Sequence, residues 1–83
     1  MSDECSIRIR YFASLREARG LPVEVVSTAA RKPVDLYHEL CALHGFALPS
    51  KLVRFAVNGE FADPNTLLGE GDEVSLIPPV AGG

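Results

Sequence analysis

The residues with the most distinctive chemistry stand at the C-terminal end of the sequence, which reads Pro-Pro-Val-Ala-Gly-Gly over residues 78–83. The two prolines restrict φ and hold the backbone extended. The two glycines lack a Cβ atom, so the walls of a narrow channel can close around their backbone. We therefore expect a thin tail that brings the unhindered terminal carboxylate of Gly83, as an acyl group, into the active site of another protein. The alternative is an end without a function, since chain termini are often poorly ordered.

Three apolar side chains are predicted to lie at the base of this tail. Phe12 breaks the alternation that precedes it, Ile77 falls on the outer side of the last predicted strand, and Phe61 follows a turn. An exposed apolar cluster usually marks a docking site. We expect Phe12, Phe61 and Ile77 to form such a patch, unless each is a strand-end residue that packs on the rim of the core.

The second part of the chain is acidic. Residues 55–83 contain five acids and no Lys or Arg: Glu60, Asp63, Glu70, Asp72 and Glu73. A cluster of one charge steers association toward a partner of the opposite charge, so we expect a basic partner surface. The alternative is that each of these acids is a solvated turn residue.

The histidines and cysteines do not form a persuasive metal site. His38, Cys41 and His44 follow one another at i+3 steps in a predicted helix, which spreads them over roughly 120° of its surface. No fourth ligand is evident, so we expect no metal. Cys41 is predicted to be a small residue at the edge of the core, and Cys5 has no neighbouring base that would make it catalytic.

Composition excludes several classes of protein. The 83 residues are 47% hydrophobic with a formal net charge of -3, which argues against a disordered chain and against a nucleic-acid binder that relies on general basicity. Two cysteines are too few for a disulfide framework. No segment is long and apolar enough to span a bilayer, and the acidic N-terminus is unlike a signal peptide. We therefore expect a cytoplasmic protein that contacts neither nucleic acid nor membrane.

The alternation of apolar and polar residues predicts the elements that position these groups. Alternation with a period of two indicates half-buried strands, and leucines at i, i+4 and i+7 indicate one apolar face of a helix. The pattern predicts strands at residues 7–12, 23–27, 53–57, 60–62 and 73–77, and a main helix at residues 34–44 that presents Leu36, Leu40 and Leu43.

Local signals predict where these elements begin and end. Residues 14–17 (Ser-Leu-Arg-Glu) match a capping box, so a turn or two of helix is expected to begin at the serine and to end near Gly20. Pro33 suits the first turn of the main helix and Gly45 its end. Residues 58–59 (Asn-Gly) predict a hairpin turn, because both residues tolerate positive φ.

These elements predict an α+β fold, in which one main helix covers one face of a mixed sheet of about five strands. The order of the strands does not follow from the pattern. We expect one domain at residues 1–77 and an extended, flexible Gly-Gly tail at residues 78–83.

Three segments of the chain resemble a known family. They are residues 9–17 (Ile-Arg-Tyr-Phe-Ala-Ser-Leu-Arg-Glu), residues 57–60 (Val-Asn-Gly-Glu) and residues 71–83 (Gly-Asp-Glu-Val-Ser-Leu-Ile-Pro-Pro-Val-Ala-Gly-Gly). From about residue 6 to residue 83 the chain resembles the MoaD-like branch of the ThiS/MoaD ubiquitin-like sulfur carriers, the small subunits of molybdopterin synthase. The resemblance implies a β-grasp fold with the first and last strands adjacent at the centre of the sheet.

The resemblance also implies a function in molybdenum cofactor biosynthesis. An ATP-dependent, E1-like activating enzyme would adenylate Gly83, and sulfur would replace the adenylate to give a thiocarboxylate. The tail would then enter the large subunit of molybdopterin synthase, in a heterotetramer, and donate sulfur to a pterin precursor. The chain itself would be a carrier without a bound cofactor, since ATP is used by the activating enzyme. The residues expected to contact these partners are Phe12, Phe61, Ile77, Pro78, Pro79, Val80, Ala81 and Gly82.

Other functions share this fold, because fold alone does not determine function. Related carriers serve tRNA thiolation, thiamine synthesis and cysteine synthesis. A noncovalent ubiquitin-like interaction module would need the apolar patch and not the tail. A protein modifier would instead attach Gly83 to lysines of target proteins.

Overall fold

The computed structural model describes residues 3–79 of the chain. Two helices and five strands follow one another in the order β1 (Cys5–Tyr11), α1 (Ala13–Arg19), β2 (Val23–Thr28), α2 (Pro33–His44), β3 (Arg54–Val57), β4 (Glu60–Ala62) and β5 (Glu73–Ile77). A short 3-10 turn at Ser50–Leu52 precedes β3 and was not predicted, because three residues are too few to show a period. The predicted positions of the five strands and of the main helix are confirmed.

The five strands form one mixed sheet in the order β2-β1-β5-β3-β4. Strands β1 and β5 run parallel at the centre, with Ile9 opposite Val74 and Tyr11 opposite Leu76. The other three pairs of neighbours are antiparallel. The α+β class and the central pairing of the first and last strands, which the β-grasp resemblance implied, are therefore both confirmed.

One face of this sheet packs against the helices and forms the core. Alternate residues of β1 (Ile7, Ile9 and Tyr11) point to this face, because successive side chains of a strand point to opposite sides. The buried cluster consists of Ile7, Ile9, Tyr11, Leu15, Leu36, Tyr37, Leu40, Phe46, Val53, Phe55, Leu68, Val74 and Leu76. The opposite face, which we call the outer face, has no helix on it among residues 3–79.

The end of α2 differs from the predicted pattern. Leu43 was predicted to share the buried face with Leu36 and Leu40, yet it is 67% exposed. Phe46 packs at this end of the helix instead, with its ring stacked 6.2 Å from Tyr37 and edge-on 5.9 Å from Tyr11. The chain can place Phe46 there because it reverses at a left-handed residue directly after the helix.

The predicted capping box is wrong. Helix α1 begins at Ala13, so Ser14 lies inside the first turn, and Phe12 occupies the N-cap without a side-chain hydrogen bond. The helix begins one residue before the serine, because the chain turns sharply at Ala13, directly after Phe12. Ala13 makes the sharp change of direction in the left-handed region, with φ 48°.

The other turn signals are confirmed. Pro33 occupies the first turn of α2, and Gly45 ends that helix with φ 74° and donates its N–H to the carbonyl of Cys41 at 2.8 Å. Asn58 and Gly59 join β3 to β4 with φ 52° and 87°, as a two-residue hairpin requires. Within residues 3–79 no helix is both long and apolar enough to cross a membrane.

Candidate functional site

The pairing of the strands defines a row of residues across the outer face. Arg10 lies opposite Ser75, Ser75 opposite Ala56, and Ala56 opposite Phe61. Ser75 and Ala56 are each only 7% exposed, although neither points toward a helix. Both are small, and the larger side chains of Arg10 and Phe61 stand on either side of them. The outer face is therefore a shallow trough with a small-residue floor.

The structure places the three predicted docking residues on this face or at its border. Phe61 is 72% exposed, Phe12 is 38% exposed, and Ile77 is half-buried. Ile77 lies opposite Arg54, and Phe12 directly follows the last residue of β1 that pairs with β5. The expected outward direction of Ile77 agrees with its register, but its side chain is less accessible than expected. The docking role of all three stays a prediction.

Arg54 is a member of this site that the sequence analysis missed. Its guanidinium carbon lies 5.2 Å from the centre of the Phe61 ring, which is the geometry of a cation–π contact. Alternation with the buried Phe55 could have placed Arg54 on the outer face. The apolar patch is therefore flanked by a positive charge.

Two hollows border the trough. One has a volume of about 250 Å³ and is lined by Val53, Arg54, Phe55, Phe61, Ala62 and Pro64. The other has a volume of about 180 Å³ and is lined by Arg10, Tyr11, Phe12, Arg16, Pro22 and Val23. Each hollow thus combines an aromatic side chain with arginine, which is a composition typical of the centres of protein interfaces.

Pro78 and Pro79 are the residues of the predicted tail that the structure describes. Strand β5 ends at Ile77, and a proline then follows, which cannot donate to a strand ladder. Pro78 is buried and Pro79 is exposed, and the division between domain and tail stays a prediction. The expectations for Val80, Ala81, Gly82 and Gly83 lie outside the described residues.

Most acids of residues 55–83 contact other groups of the same domain. Four of the five do so: Asp63, Glu70, Asp72 and Glu73. The two oxygens of Asp72 accept hydrogen bonds from the Gly69 N–H at 2.8 Å and from the Asn58 side-chain amide at 3.1 Å. Asp63 and Asp72 match the alternative of turn acids, whereas Glu70 and Glu73 contact β1, and the expectation of a basic partner stays a prediction.

Glu24 forms a polar cluster that the sequence did not suggest. The register of β2 turns Glu24 toward the helices, opposite Ile9. The hydroxyl of Tyr11 donates to its carboxylate at 2.5 Å, and Arg19 donates through Nε and Nη2 at 2.8 Å each. His44 Nε2 lies 3.8 Å from the same carboxylate. The cluster therefore joins the ends of α1 and α2 to the sheet.

This cluster has a structural role rather than the features of a catalytic site. The hydrogen bonds from Arg19 are the main cause that lowers the pKa of Glu24, and burial partly opposes them. Burial, and then the bond to Glu24, raises the pKa of the Tyr11 hydroxyl. Both shifts move the groups away from neutral pH, where a general acid or base would need to titrate.

The histidines and cysteines stand apart from the outer face. His38 is exposed on α2, while Cys41 and Cys5 are partly buried against the core as free thiols. The predicted position of Cys41 at the edge of the core is confirmed. In the part of the chain that the structure describes, no group of three or more His, Cys, Asp or Glu residues could hold a metal ion.

Two curated relatives are similar over almost the whole chain. One is the molybdopterin synthase sulfur carrier subunit of Homo sapiens, which is 33% identical over 95% of this chain and 96% of its own length. The other is the protein of the same name from Chlamydomonas reinhardtii, which is 37% identical over 93% of this chain and 98% of its own length.

Solved structures share the fold at a similar level of identity. The crystal structure of small archaeal modifier protein 1 from Haloferax volcanii is 29% identical, with a TM-score of 0.75 over 94% of this chain and 99% of that one. A second solved structure is a complex of subunits 1 and 2 of molybdopterin-converting factor from Helicobacter pylori 26695. One chain of this complex is 29% identical, with a TM-score of 0.63 over 94% of this chain and 99% of that one.

The family comparison covers both the sheet and the tail. The model of the ThiS family matches residues 9–83, from the middle of β1 to the last glycine. The matched region contains Phe12, Phe61, Ile77 and the complete Gly-Gly ending. With this match and a human relative that is 33% identical, the chain belongs to the ThiS family and has its ubiquitin-like β-grasp fold.

Proposed function

We propose that this protein is the sulfur-carrier subunit of a molybdopterin synthase and that Gly83 is the residue that carries sulfur. The observation that supports this most directly is the family match, which runs through to the terminal glycine. Both curated relatives are sulfur carrier subunits of molybdopterin synthase, and each covers more than nine-tenths of this chain.

The first step would activate the terminal carboxylate. A carboxylate is a poor acyl electrophile because its negative charge repels nucleophiles. An oxygen of Gly83 attacks the α-phosphate of ATP on an E1-like activating enzyme, and pyrophosphate leaves. Hydrosulfide released by a sulfur donor then attacks the acyl carbon, AMP leaves with the bonding pair, and the sulfur loses its proton. The product is a thiocarboxylate at Gly83.

The second step would deliver this sulfur. The tail enters a catalytic large subunit, where the thiocarboxylate sulfur attacks a carbon of the pterin precursor and displaces an oxygen substituent, which leaves with the bonding pair. Water then cleaves the acyl–sulfur bond, which leaves sulfur on the pterin and returns the Gly83 carboxylate. Two such cycles supply the two sulfurs of a dithiolene. Two glycines at the end of the tail suit this step, since no side chain hinders approach to the acyl carbon.

The remaining groups of the reaction would belong to the partners. The Helicobacter pylori relative is described in a complex with a second subunit, which supports a large-subunit partner here. The carrier would hold no cofactor of its own. We place the reaction in the cytoplasm, where reducing conditions keep Cys5 and Cys41 as thiols.

Mass spectrometry of the C-terminal peptide tests this function. We expect incubation with ATP, an activating enzyme and a sulfur donor to exchange one oxygen of Gly83 for sulfur. The peptide must be sequenced, because oxidation of Met1 or a cysteine changes the intact mass by nearly the same amount. A variant that lacks residues 82–83 should fold with an unchanged Tm and gain no sulfur. If this truncated variant still supports dithiolene synthesis, the proposal is wrong.

A protein modifier is a second candidate function. The likeness to small archaeal modifier protein 1 supports it, because a modifier would share both the fold and the Gly-Gly ending. Both functions begin with adenylation of Gly83, and their products differ. An isopeptide bond between Gly83 and a lysine of another protein would favour the modifier, whereas a thiocarboxylate consumed by the large subunit would favour the carrier. The other carrier pathways are tested by expressing the protein in strains deficient in tRNA thiolation, thiamine synthesis or cysteine synthesis. Restored growth or thiolation would identify the pathway that the carrier serves.

A further inference from the structure

Basic residues are concentrated on one side of this acidic protein. The chain has a formal net charge of -3 and eight Lys and Arg residues. Four of the eight lie on the outer face or at its border: Arg8, Arg10, Arg16 and Arg54. The register of β1 and β3 turns Arg8, Arg10 and Arg54 outward. Arg16, on α1, lines the same hollow as Arg10 and Phe12.

These arginines are largely free to bind another molecule. Arg10 has one acidic neighbour, Glu73, with Nε 3.5 Å from Oε2. Within residues 3–79, Arg8, Arg16 and Arg54 form no ion pair. Arg19 contrasts with them, since both of its nitrogens are committed to Glu24. Glu73 also lies opposite Arg8 on the same face, so the positive charge of the outer face is partly compensated.

Arg10 stands beside the floor of the trough, and Arg54 stands two residues along β3 from Ala56, next to Phe61. Arg54 lies over the Phe61 ring, and an arginine stacked in this way keeps its N–H edge available for a carboxylate. Ser75 and Ala56, the small residues of the floor, occupy the row that begins with Arg10. Because β1 and β3 are two strand spacings apart and Arg54 is offset by two residues along β3 from the row of Arg10, the bases of the two side chains are separated by about 12 Å.

We propose that the outer face binds an acidic protein surface, in which carboxylates pair with Arg10 and Arg54 and an apolar side chain fills the trough over Ser75 and Ala56. This inference rests on the proposed function, since the partner is the protein that receives Gly83. The acids of residues 55–83 suggested a basic partner surface, whereas the arginines of the outer face assign an acidic one. Arginine pairs with carboxylates through two parallel hydrogen bonds, which adds geometric specificity to the docking.

A protein fits this face better than a nucleic acid does. Binding to a phosphate backbone depends on many basic contacts, and only four arginines are available on a chain whose net charge is negative. The small-residue floor and the exposed Phe61 also match an apolar side chain more closely than a row of phosphates. Single-stranded RNA is therefore included in the test as a competing ligand.

Binding measurements with neutral substitutions test the inference. The probes are a purified activating enzyme and a purified large subunit, titrated with the full chain. Arg10→Gln combined with Arg54→Gln should weaken binding to at least one of them by about tenfold or more, and the loss should shrink at high salt. The control is Lys32→Gln combined with Lys51→Gln, which removes the same charge outside the outer face. The control should change Kd by less than about threefold.

Three results would overturn the inference. One is an unchanged Kd for the Arg10→Gln, Arg54→Gln protein, and another is an equal loss in the lysine control, which would indicate a general charge effect. The third is binding of poly(U) RNA more tightly than either protein. The Tm of the Arg10→Gln, Arg54→Gln protein shows whether it is folded. A second variant, Arg10→Lys with Arg54→Lys, keeps the positive charge and should lose only part of the affinity.

The test also separates this inference from the proposed function. Thiocarboxylate formation is measured on the wild-type protein at saturating concentration, where docking affinity no longer limits the reaction. If Gly83 gains sulfur but both proteins bind independently of the arginines, only the inference fails. If binding depends on the arginines but Gly83 never gains sulfur, only the proposed function fails.

Discussion

At the scale of single residues, Glu24 is the centre of a partly buried cluster of hydrogen bonds. Its carboxylate accepts one hydrogen bond from Tyr11 and two from Arg19. These bonds favour the ionised form, so they lower the pKa of Glu24 in the folded protein relative to the unfolded chain. The ionised carboxylate therefore stabilises the fold.

Replacement of this carboxylate gives a pH-dependent prediction. Near neutral pH, Glu24→Gln should lower the free energy of unfolding by about 1–2 kcal/mol, since hydrogen bonds to a charged group are lost. A lowered folded pKa means that the stabilisation is complete above the unfolded pKa and disappears as the pH falls through the folded pKa. Urea unfolding should therefore show a difference from the wild type that shrinks below about pH 4.

The control for this prediction is Glu17→Gln, because Glu17 is an exposed glutamate on α1. It should change the free energy of unfolding by less than about 0.5 kcal/mol at every pH. A Glu24→Gln effect that stays constant between neutral and acidic pH would show that the charge of Glu24 is not the source of the stability.

At the scale of elements, α2 shows how two residues define the limits of a helix. Pro33 stands in the first turn, where its missing N–H costs no hydrogen bond. Gly45 stands directly after the last turn with φ 74°, a conformation that side chains with a Cβ disfavour. The reversal at Gly45 leads directly to Phe46, which fills the core between Tyr11 and Tyr37.

A pair of glycine substitutions tests the importance of this reversal. Gly45→Ala should lower the free energy of unfolding by about 1 kcal/mol, because alanine is strained at positive φ even though no atom lies within 4 Å of the added Cβ. Gly69→Ala is the matched control. The φ angle of Gly69 lies outside the left-handed range of +20° to +160°. A Cβ added there would meet the Asp72 side chain at 3.9 Å, an ordinary van der Waals distance. Equal losses in chemical denaturation would contradict the role of backbone conformation.

At the scale of the whole molecule, the order of the strands decides what stands beside the tail. The parallel pairing of β1 with β5 brings the end of β1 and the end of β5 to the same edge of the sheet. Phe12 follows the first of these strands and Pro78 follows the second. Residues separated by more than sixty positions in the chain are therefore brought to one border of the outer face.

This arrangement predicts that the two sides of the molecule respond differently to a new charge. Phe61→Asp should weaken binding of the partner by about tenfold or more, as expected for an aromatic residue at the centre of an interface. Its Tm should stay close to that of the wild type, because Phe61 is 72% exposed. Leu67→Asp is the control, since Leu67 is 75% exposed in the loop between β4 and β5. It should leave both the affinity and the Tm unchanged.

Two outcomes of this comparison would count against the outer face as the docking site. One is an equal loss of affinity in both variants, and the other is a collapse of Tm in Phe61→Asp, which would mean that the side chain belongs to the core. Ile77 is unsuited to this test. It is half-buried, so a charge there would reduce stability as well as binding.

The sequence by itself determined the elements and most of their ends. Alternation in β1 and β5, the leucines of α2, and the glycines and prolines at turns are local signals, because each depends on residues close together in the chain. Two local expectations were wrong. Helix α1 begins at Ala13, before the predicted cap at Ser14, and Phe46 takes the core position that was predicted for Leu43, since tertiary packing overrides local preference.

Only the tertiary structure decided which distant residues meet. The order of the strands set Arg10, Ser75, Ala56 and Phe61 in one row and placed Arg54 over Phe61. It also turned Glu24 inward toward Tyr11 and Arg19. Spacing along the chain contains no information on such contacts, because they depend on pairing between strands that are far apart in sequence. The Gly-Gly tail was therefore evident from the sequence, whereas the charged face beside its base was evident only from the fold.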